Sequence, residues 1–88
     1  MEEFSIGMMA KSLAGHDKGK IYLVSAVDEQ YVYLVDGKYR TMEKPKRKKR
    51  KHVQIDHRIP LWIENILSGG NKIQDSDVIK VRRDYGRL

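Results

Sequence analysis

The hydrophobic pattern of the first 55 residues predicts short β-strands. Two segments, Ile21–Val27 and Tyr31–Val35, have the length of strands and are rich in β-branched and aromatic residues, which fit a pleated, half-buried surface. Residues 28–30 form a polar connection between them, with the length of a hairpin loop. We therefore expect these two strands to pair antiparallel.

A second reversal of the chain is predicted at Asp36 and Gly37. Asp-Gly between alternating residues favours a type I′ hairpin, because that turn needs positive φ at both central positions. The chain would then continue as a strand over residues 38–43. That strand would complete a three-stranded meander.

Two further strands are expected, at residues 6–13 and 52–55. Pairing of the first strand with the last would close the sheet into a small barrel, since open edges expose unpaired backbone groups. Gly15 and Gly19 lie in a polar segment that precedes residue 21. These two glycines predict a turn between the first two strands.

After Asp56 the apolar positions change to the spacing of an amphipathic helix. The positions that follow this spacing are Ile59, Trp62, Ile63, Ile66 and Leu67. Pro60 suits the first helical turn, and Gly69 and Gly70 end the helix.

A second helix is predicted from residue 76 to about residue 85, with Asp75 or Ser76 as its N-cap. Its apolar face is thin and consists of Val78, Ile79 and Val81. The predicted fold is therefore mainly β with a C-terminal helical tail. A small barrel of about five strands would occupy residues 1–57, and two short α-helices packed on it would occupy residues 58–88.

Length and composition limit the classes of protein that this chain can represent. Its 88 residues, 40% of them hydrophobic, are enough for one modest core. The absence of cysteine excludes disulfides and thiolate metal sites. No stretch reaches the ~20 apolar residues of a membrane span, and the start of the chain is acidic where a secretory signal is basic. A cytoplasmic location is expected.

Charge is concentrated in one segment of the chain. Residues 1–43 carry five Lys or Arg against seven Asp or Glu, residues 44–58 carry eight against one, and residues 59–88 carry five against four. A nearly neutral body with one basic segment indicates a polyanionic partner, either nucleic acid or an anionic membrane. We expect residues 44–52 to form a loop held between two strands. Their charge density suggests that the loop is not ordered before its partner binds.

Catalytic and metal-binding chemistry is not indicated. The segment from Gly15 to Lys20 lacks the Ser or Thr and the following helix that a phosphate-binding loop requires, so we interpret it as a turn whose Lys18 and Lys20 could neutralise a phosphate. His52 and His57 lie five residues apart, a spacing that does not suit one helix face. No cofactor, metal or small-molecule substrate is expected, and the protein is not expected to be an enzyme.

Four tyrosines on the predicted strands could stack on unpaired bases. They are Tyr22, Tyr31, Tyr33 and Tyr39. For each of them, filling the barrel is the favoured interpretation. Tyr39 is the best candidate for stacking, because it lies beside Arg40 and leads into the basic run.

Two alternatives to nucleic-acid binding remain open. The basic run followed by the apolar helix is also typical of an interfacial anchor, in which Trp62 would insert into an anionic membrane. The other alternative is a protein-docking module that uses a groove between barrel and helices.

Several short motifs over residues 6–55 occur in a characteristic order. They are Gly7 and Ser12 in the first strand, the turn at Gly15, Asp17, Gly19 and Lys20, the DGK-x-R segment from Asp36 to Arg40, and the basic segment from Pro45 to His52. In this order the chain resembles the KOW-domain RNA-binding family of bacteria, which is related to the KOW-bearing large-subunit ribosomal proteins of archaea and eukaryotes. In one place it departs from the family, with Lys49 and Arg50 where an Asn and an aliphatic residue are expected.

The resemblance implies an SH3-like barrel that binds structured RNA, with ribosomal RNA as the expected target. It also implies that Gly19 is the characteristic glycine of the family's turn. We therefore expect a non-catalytic, ribosome-associated RNA-binding protein. The sequence does not give its oligomeric state, for which a monomer is favoured. The residues expected to contact RNA are basic or aromatic, and they are Lys18, Lys20, Tyr39, Arg40, Lys44, Lys46, Arg47, Lys48, Lys49, Arg50, Lys51, His52 and Arg58.

Overall fold

The computed structural model describes residues 3–85 and has a five-stranded antiparallel sheet followed by two helices. The strands are β1 Met9–Ser12, β2 Ile21–Val27, β3 Tyr31–Val35, β4 Lys46–Lys49 and β5 Val53–Asp56. A 3₁₀ turn, Arg50–His52, joins β4 to β5, and the helices are α1 Leu61–Ser68 and α2 Asp75–Tyr85. The strand order is β4-β3-β2-β1-β5. This confirms the predicted fold class, a barrel-like β domain with a helical tail.

The two ends of the predicted barrel meet as expected. β1 pairs antiparallel with β5, and Ala10 lies opposite Ile55. β1 also pairs with β2, whose hairpin with β3 contains a register shift between Val24 and Ala26. The glycine turn before β2 is confirmed, since Gly15 and Gly19 both have positive φ, near 90°, a conformation that glycine adopts without steric cost.

The sheet buries apolar side chains on both of its faces. Successive strand residues point to opposite faces, so Tyr22 and Leu23 belong to different cores. The barrel core consists of Met8, Ala10, Tyr22, Val24, Val32, Leu34, Val53 and Ile55. The helix-facing core consists of Met9, Leu23, Val35, Ile63, Ile73, Val78 and Val81. The helices thus pack on the outer face of the sheet at β1, β2 and β3 and leave the barrel core to the strands.

The N-terminus of α2 differs from the prediction. Neither Asp75 nor Ser76 is the N-cap; instead the carbonyl of Gln74 accepts the backbone N–H of Val78, and the carboxylate of Asp77 accepts the N–H of Gln74 at 2.9 Å. This is half of a capping box. The Asp75 carboxylate is used elsewhere, because it accepts the backbone N–H of Met42 at 2.8 Å.

The apolar face of α2 also differs at one position. Val78 and Val81 are buried in the helix-facing core as predicted, but Ile79 is 47% exposed. The thin apolar stripe is therefore narrower than the sequence suggests.

The predicted turn at Asp36-Gly37 is wrong in its type. Only glycines have positive φ among residues 3–85, so Asp36 cannot occupy a type I′ turn. Its carboxylate instead accepts the backbone N–H groups of Lys38, Tyr39 and Arg40, each at 2.8 Å. These bonds hold the chain in a wider loop, and residues 38–43 do not form a strand.

The basic run is not the loop that was predicted. Its residues 46–49 form β4, which pairs antiparallel with β3 and supplies the third strand of the meander. The next three residues form the 3₁₀ turn. Strand pairing orders this segment despite its charge, and the arrangement of its lysines explains how.

Candidate nucleic-acid interface

The side chains of β4 alternate between two environments. Lys46 and Lys48 are half-buried, whereas Arg47 and Lys49 are exposed. Lys48 lies opposite Val32, a barrel-core residue, and Arg47 lies opposite Tyr33. The basic strand therefore has an inner face of lysines turned toward the barrel and an outer face of cations turned toward solvent.

A single carboxylate pairs with both inner lysines. Lys48 donates to Asp17 at 2.8 Å, and the ammonium of Lys46 lies 3.0 Å from the other oxygen of the same carboxylate. The side chains of Lys48 and Asp17 are each only 10% exposed. Lys48 also donates to the carbonyl oxygen of Ala14 at 2.8 Å. These contacts tie β4 to the turn between β1 and β2.

Two hydroxyl groups complete the hydrogen bonding of Asp17. Ser12 donates to one carboxylate oxygen at 2.8 Å, and Tyr22 donates to the other at 2.7 Å. We call Asp17, Ser12, Tyr22, Lys46 and Lys48 the Asp17 cluster. Tyr22 is thereby confirmed as part of the barrel and not as a stacking surface, since it is only 1% exposed.

The Asp17 cluster perturbs the ionisation of its acidic members. Burial alone would raise the pKa of Asp17, but hydrogen bonds from Lys48, Tyr22 and Ser12 outweigh it and hold that pKa far below its ordinary value. Burial and the neighbouring Asp17 carboxylate together raise the pKa of the Tyr22 phenol well above 10. Asp17 therefore stays ionised, and Tyr22 stays a hydrogen-bond donor, throughout the neutral range.

The outer face of β4 places cations beside aromatic rings of β3. The guanidinium of Arg47 lies 4.5 Å from the centre of the Tyr31 ring, a distance typical of a cation–π contact. Lys49 lies directly opposite Tyr31. A shallow depression of about 480 Å³ opens here, lined by Ala14, Gly15, Tyr31, Lys46, Arg47, Lys48, Lys49 and His52.

The 3₁₀ turn that follows β4 begins with Arg50, which is half-buried and whose Nε atom is buried without a hydrogen-bond partner among the described residues. The guanidinium of Arg50 lies 5.0 Å from the centre of the Phe4 ring, and its backbone N–H donates to the carbonyl of Gln30 at 3.0 Å. Lys51 is exposed and His52 is half-buried. Together with β4, the turn forms what we call the basic face, consisting of Arg47, Lys49, Arg50 and Lys51. Within residues 3–85, none of these four cations has a carboxylate partner within 4 Å.

The loop after β3 carries a second group of predicted residues. Lys20 reaches it from the start of β2 and pairs with the buried carboxylate of Asp36 at 2.7 Å. The same ammonium lies 5.2 Å from the centre of the Tyr22 ring and 5.6 Å from that of Tyr39. Burial would raise the pKa of Asp36, but the hydrogen bonds from Lys20 and from the backbone N–H groups of Arg40 and Lys38 lower it overall.

The remaining predicted cations lie in different places. Lys18, Arg40 and Lys44 are exposed on the loops. Arg58 follows the end of β5 and makes a two-pronged contact with Asp56, at 3.0 and 2.7 Å. It lines a separate depression of about 560 Å³ that also includes Lys11, His57 and Tyr85. The structure therefore does not bring Arg58 together with the basic face.

Phe4 and Asp17 contribute to the site in ways that the sequence did not reveal. Phe4 lies 46 positions before its partner Arg50, and Asp17 lies 31 positions before Lys48. The alternation of strand side chains was the one sequence pattern that could have indicated these contacts, and it cannot be seen in a run whose members all carry the same charge.

No group of three or more His, Asp or Glu residues is placed to hold a metal ion in the described part of the chain. Over the same residues, neither helix is long and apolar enough to cross a membrane.

Comparison with models of known protein families finds none that matches this chain, and no curated protein matches it at a meaningful level of similarity. The chemistry of the basic face is therefore the main basis for assigning a function.

Proposed function

We propose that this protein binds structured RNA through the basic face and catalyses no reaction. The observation that carries the proposal is the division of β4 into lysines paired with Asp17 and cations left without a carboxylate partner. A folded domain that holds four unpaired cations on one ordered surface offers a polyanion fixed points of contact. Because strand pairing orders Arg47 and Lys49 and the 3₁₀ turn orders Arg50 and Lys51, binding does not have to order a loop.

RNA is favoured over other polyanions for two reasons. The basic face includes Tyr31 beside its cations, and aromatic rings interleaved with Arg and Lys suit nucleic acid. The second reason is the resemblance of residues 6–55 to the KOW-domain family, for which structured and ribosomal RNA are the expected partners. On this proposal the protein acts as a monomer associated with the ribosome in the cytoplasm, and its phosphate contacts position it without reading sequence.

The packing of α1 disfavours the alternative in which Trp62 anchors the protein to a membrane. Trp62 is half-buried against the helix-facing core, and the ammonium of Lys80 lies 4.9 Å from the centre of its ring. Insertion of Trp62 into a bilayer would require it to leave both contacts.

The salt dependence of RNA binding tests the proposal. We expect the basic face and Lys44 to contact about four or five phosphates, because Asp17 holds the ammonium groups of Lys46 and Lys48 on the inner face of β4. The logarithm of the association constant for a labelled RNA hairpin should then fall with the logarithm of salt concentration, with a slope of magnitude about 3 to 4. Fluorescence anisotropy between ~50 and 200 mM salt measures it. A flat response would contradict the proposal.

A pair of charge-matched variants locates the contact. Arg47→Ala with Lys49→Ala should weaken binding and reduce the magnitude of the slope by about 2. Lys72→Ala with Arg83→Ala removes the same two residue types from exposed positions on the helical side and should leave the slope nearly unchanged. Equal losses from both variants would mean that binding follows net charge and does not use the basic face.

A further inference from the structure

Tyr39 has an aromatic ring on the surface that no core requires. It is 74% exposed, the highest value among the large hydrophobic side chains of residues 3–85. Neither hydrophobic core includes it. An exposed tyrosine is common on protein surfaces, so its meaning depends on how it is held and on what surrounds it.

The backbone that carries Tyr39 is fixed from several directions. Asp36, which is only 1% exposed, accepts the N–H of Tyr39 itself and those of both neighbours at 2.8 Å. The carbonyl of Arg40 accepts the N–H groups of Asp36 and Gly37 at 2.8 and 3.1 Å. A ligand that contacts this ring would therefore find its backbone already ordered, which reduces the entropy lost on binding.

Two cations lie close to the ring of Tyr39. The ammonium groups of Lys38 and Lys20 lie 5.2 and 5.6 Å from its centre, and Arg40 is the next residue along the chain. The acid that anchors the loop, Asp36, is buried and already paired with Lys20. A ligand that suits this surface combines a flat apolar part with negative charge, which is the chemistry of a nucleotide.

The Tyr39 loop and the basic face are connected by a continuous set of contacts. Lys20 lies over the rings of both Tyr39 and Tyr22, and Tyr22 donates to Asp17. Asp17 in turn holds Lys46 and Lys48 of β4. These contacts fix the loop relative to the strand that bears Arg47 and Lys49. An RNA molecule that meets both parts would therefore find them in a defined arrangement.

From this geometry we infer that Tyr39 stacks on an unpaired base while the basic face holds phosphates of an adjoining helical segment. The inference rests on the proposed function and narrows its substrate class to RNA in which an unpaired nucleotide adjoins a stem. A base within a continuous A-form helix is stacked on both sides and offers no free face to a side chain, whereas a bulged or loop base does. The basic face supplies affinity for any RNA stem, and Tyr39 supplies the preference for a stem that adjoins an unpaired nucleotide.

Two RNA hairpins that differ by one bulged nucleotide test the inference. Both have the same stem and a closing loop too short to present a free base, and the bulge carries 2-aminopurine. Wild-type protein should bind the bulged hairpin more tightly and change its fluorescence. Tyr39→Leu keeps apolar volume but removes the π-face, and it should weaken binding to the bulged hairpin by roughly 5- to 100-fold. Tyr39→Phe keeps the face and should stay within about twofold of wild type.

The outcomes separate the two claims. Equal affinity of wild type for both hairpins, or an unchanged affinity of Tyr39→Leu for the bulged one, would overturn the stacking role while leaving phosphate binding by the basic face intact. Failure of wild type to bind either hairpin would overturn the proposed function and the inference with it. Binding of the fully paired hairpin by Tyr39→Leu should equal that of wild type. It serves as the control for folding, together with an unchanged melting temperature.

Discussion

Replacing Asp17 with Asn should lower the free energy of unfolding by about 3 kcal/mol, because it leaves the ammonium groups of Lys46 and Lys48 without their shared carboxylate. Removal of one partner from a buried ion pair is costly since the remaining charge stays desolvated. Total stability for a domain of this size is on the order of 5–10 kcal/mol. Urea denaturation followed by circular dichroism measures the loss, and β4 should be the first strand to lose amide-exchange protection.

The same cluster predicts how stability depends on pH. The pKa of Asp17 is depressed in the folded state, so the unfolded chain binds more protons than the folded one in acid. Its contribution is therefore fully present above the ordinary aspartate pKa of about 4 and is lost as pH falls below it. Wild type should lose stability progressively as the pH falls below about 4. The difference between wild type and Asp17→Asn should shrink over that range.

Two further variants test whether charge pairing is the cause. Glu64→Gln removes a carboxylate from an exposed position of α1 and should leave the unfolding free energy nearly unchanged. Adding Lys48→Met to Asp17→Asn removes one stranded ammonium and should restore part of the loss, because apolar replacement of buried charges is often neutral or better. If Asp17→Asn unfolds at the same urea concentration as wild type, the Asp17 cluster does not order β4.

The sequence located correctly the strands whose residues are mostly β-branched or aromatic, a composition typical of buried strands. β2 and β3 have the predicted bounds, Ile21–Val27 and Tyr31–Val35. Their β-branched and aromatic residues fit a sheet whichever face they meet. The pairing of β1 with β5 was also predictable, because a sheet this small needs closure.

β4 escaped prediction because its partners are distant in sequence. Nothing in the residues of β4 marks Lys48 as internal and Lys49 as external, since the distinction depends on Asp17, 31 positions earlier. Charge density alone favoured a disordered loop. Strand alternation combined with one well-placed carboxylate overrides that tendency, and it also halves the number of strand cations available to RNA.

The Asp-Gly pair misled for a related reason. The Asp36 side chain and Gly37 both shape the backbone here, but they form a loop that packs against α2 and not a two-residue hairpin. A Cβ built on Gly37 would lie 2.6 Å from the carbonyl oxygen of Asp75 and 2.8 Å from the side chain of Ile79. The glycine is required because a helix 38 positions later in the chain approaches its backbone, which no local pattern could indicate.

This close approach predicts a second large loss of stability. Gly37→Ala should lower the free energy of unfolding by about 3 kcal/mol, because φ is +85° there and the added methyl group must displace the backbone at the start of α2. A loss of this size lowers the melting temperature by more than ~10 °C in a small domain. Differential scanning calorimetry measures it.

Gly19→Ala is the matched control for that prediction. Gly19 has nearly the same backbone conformation, with φ of +90°, but an added Cβ would meet nothing within 4 Å. Its cost should be the conformational one alone, about 1 kcal/mol. Similar losses at the two glycines would mean that α2 yields easily to the added methyl group. A much larger loss at Gly37 would mean that α2 is held firmly against the loop that carries Tyr39, so that the helical tail fixes the position of that ring.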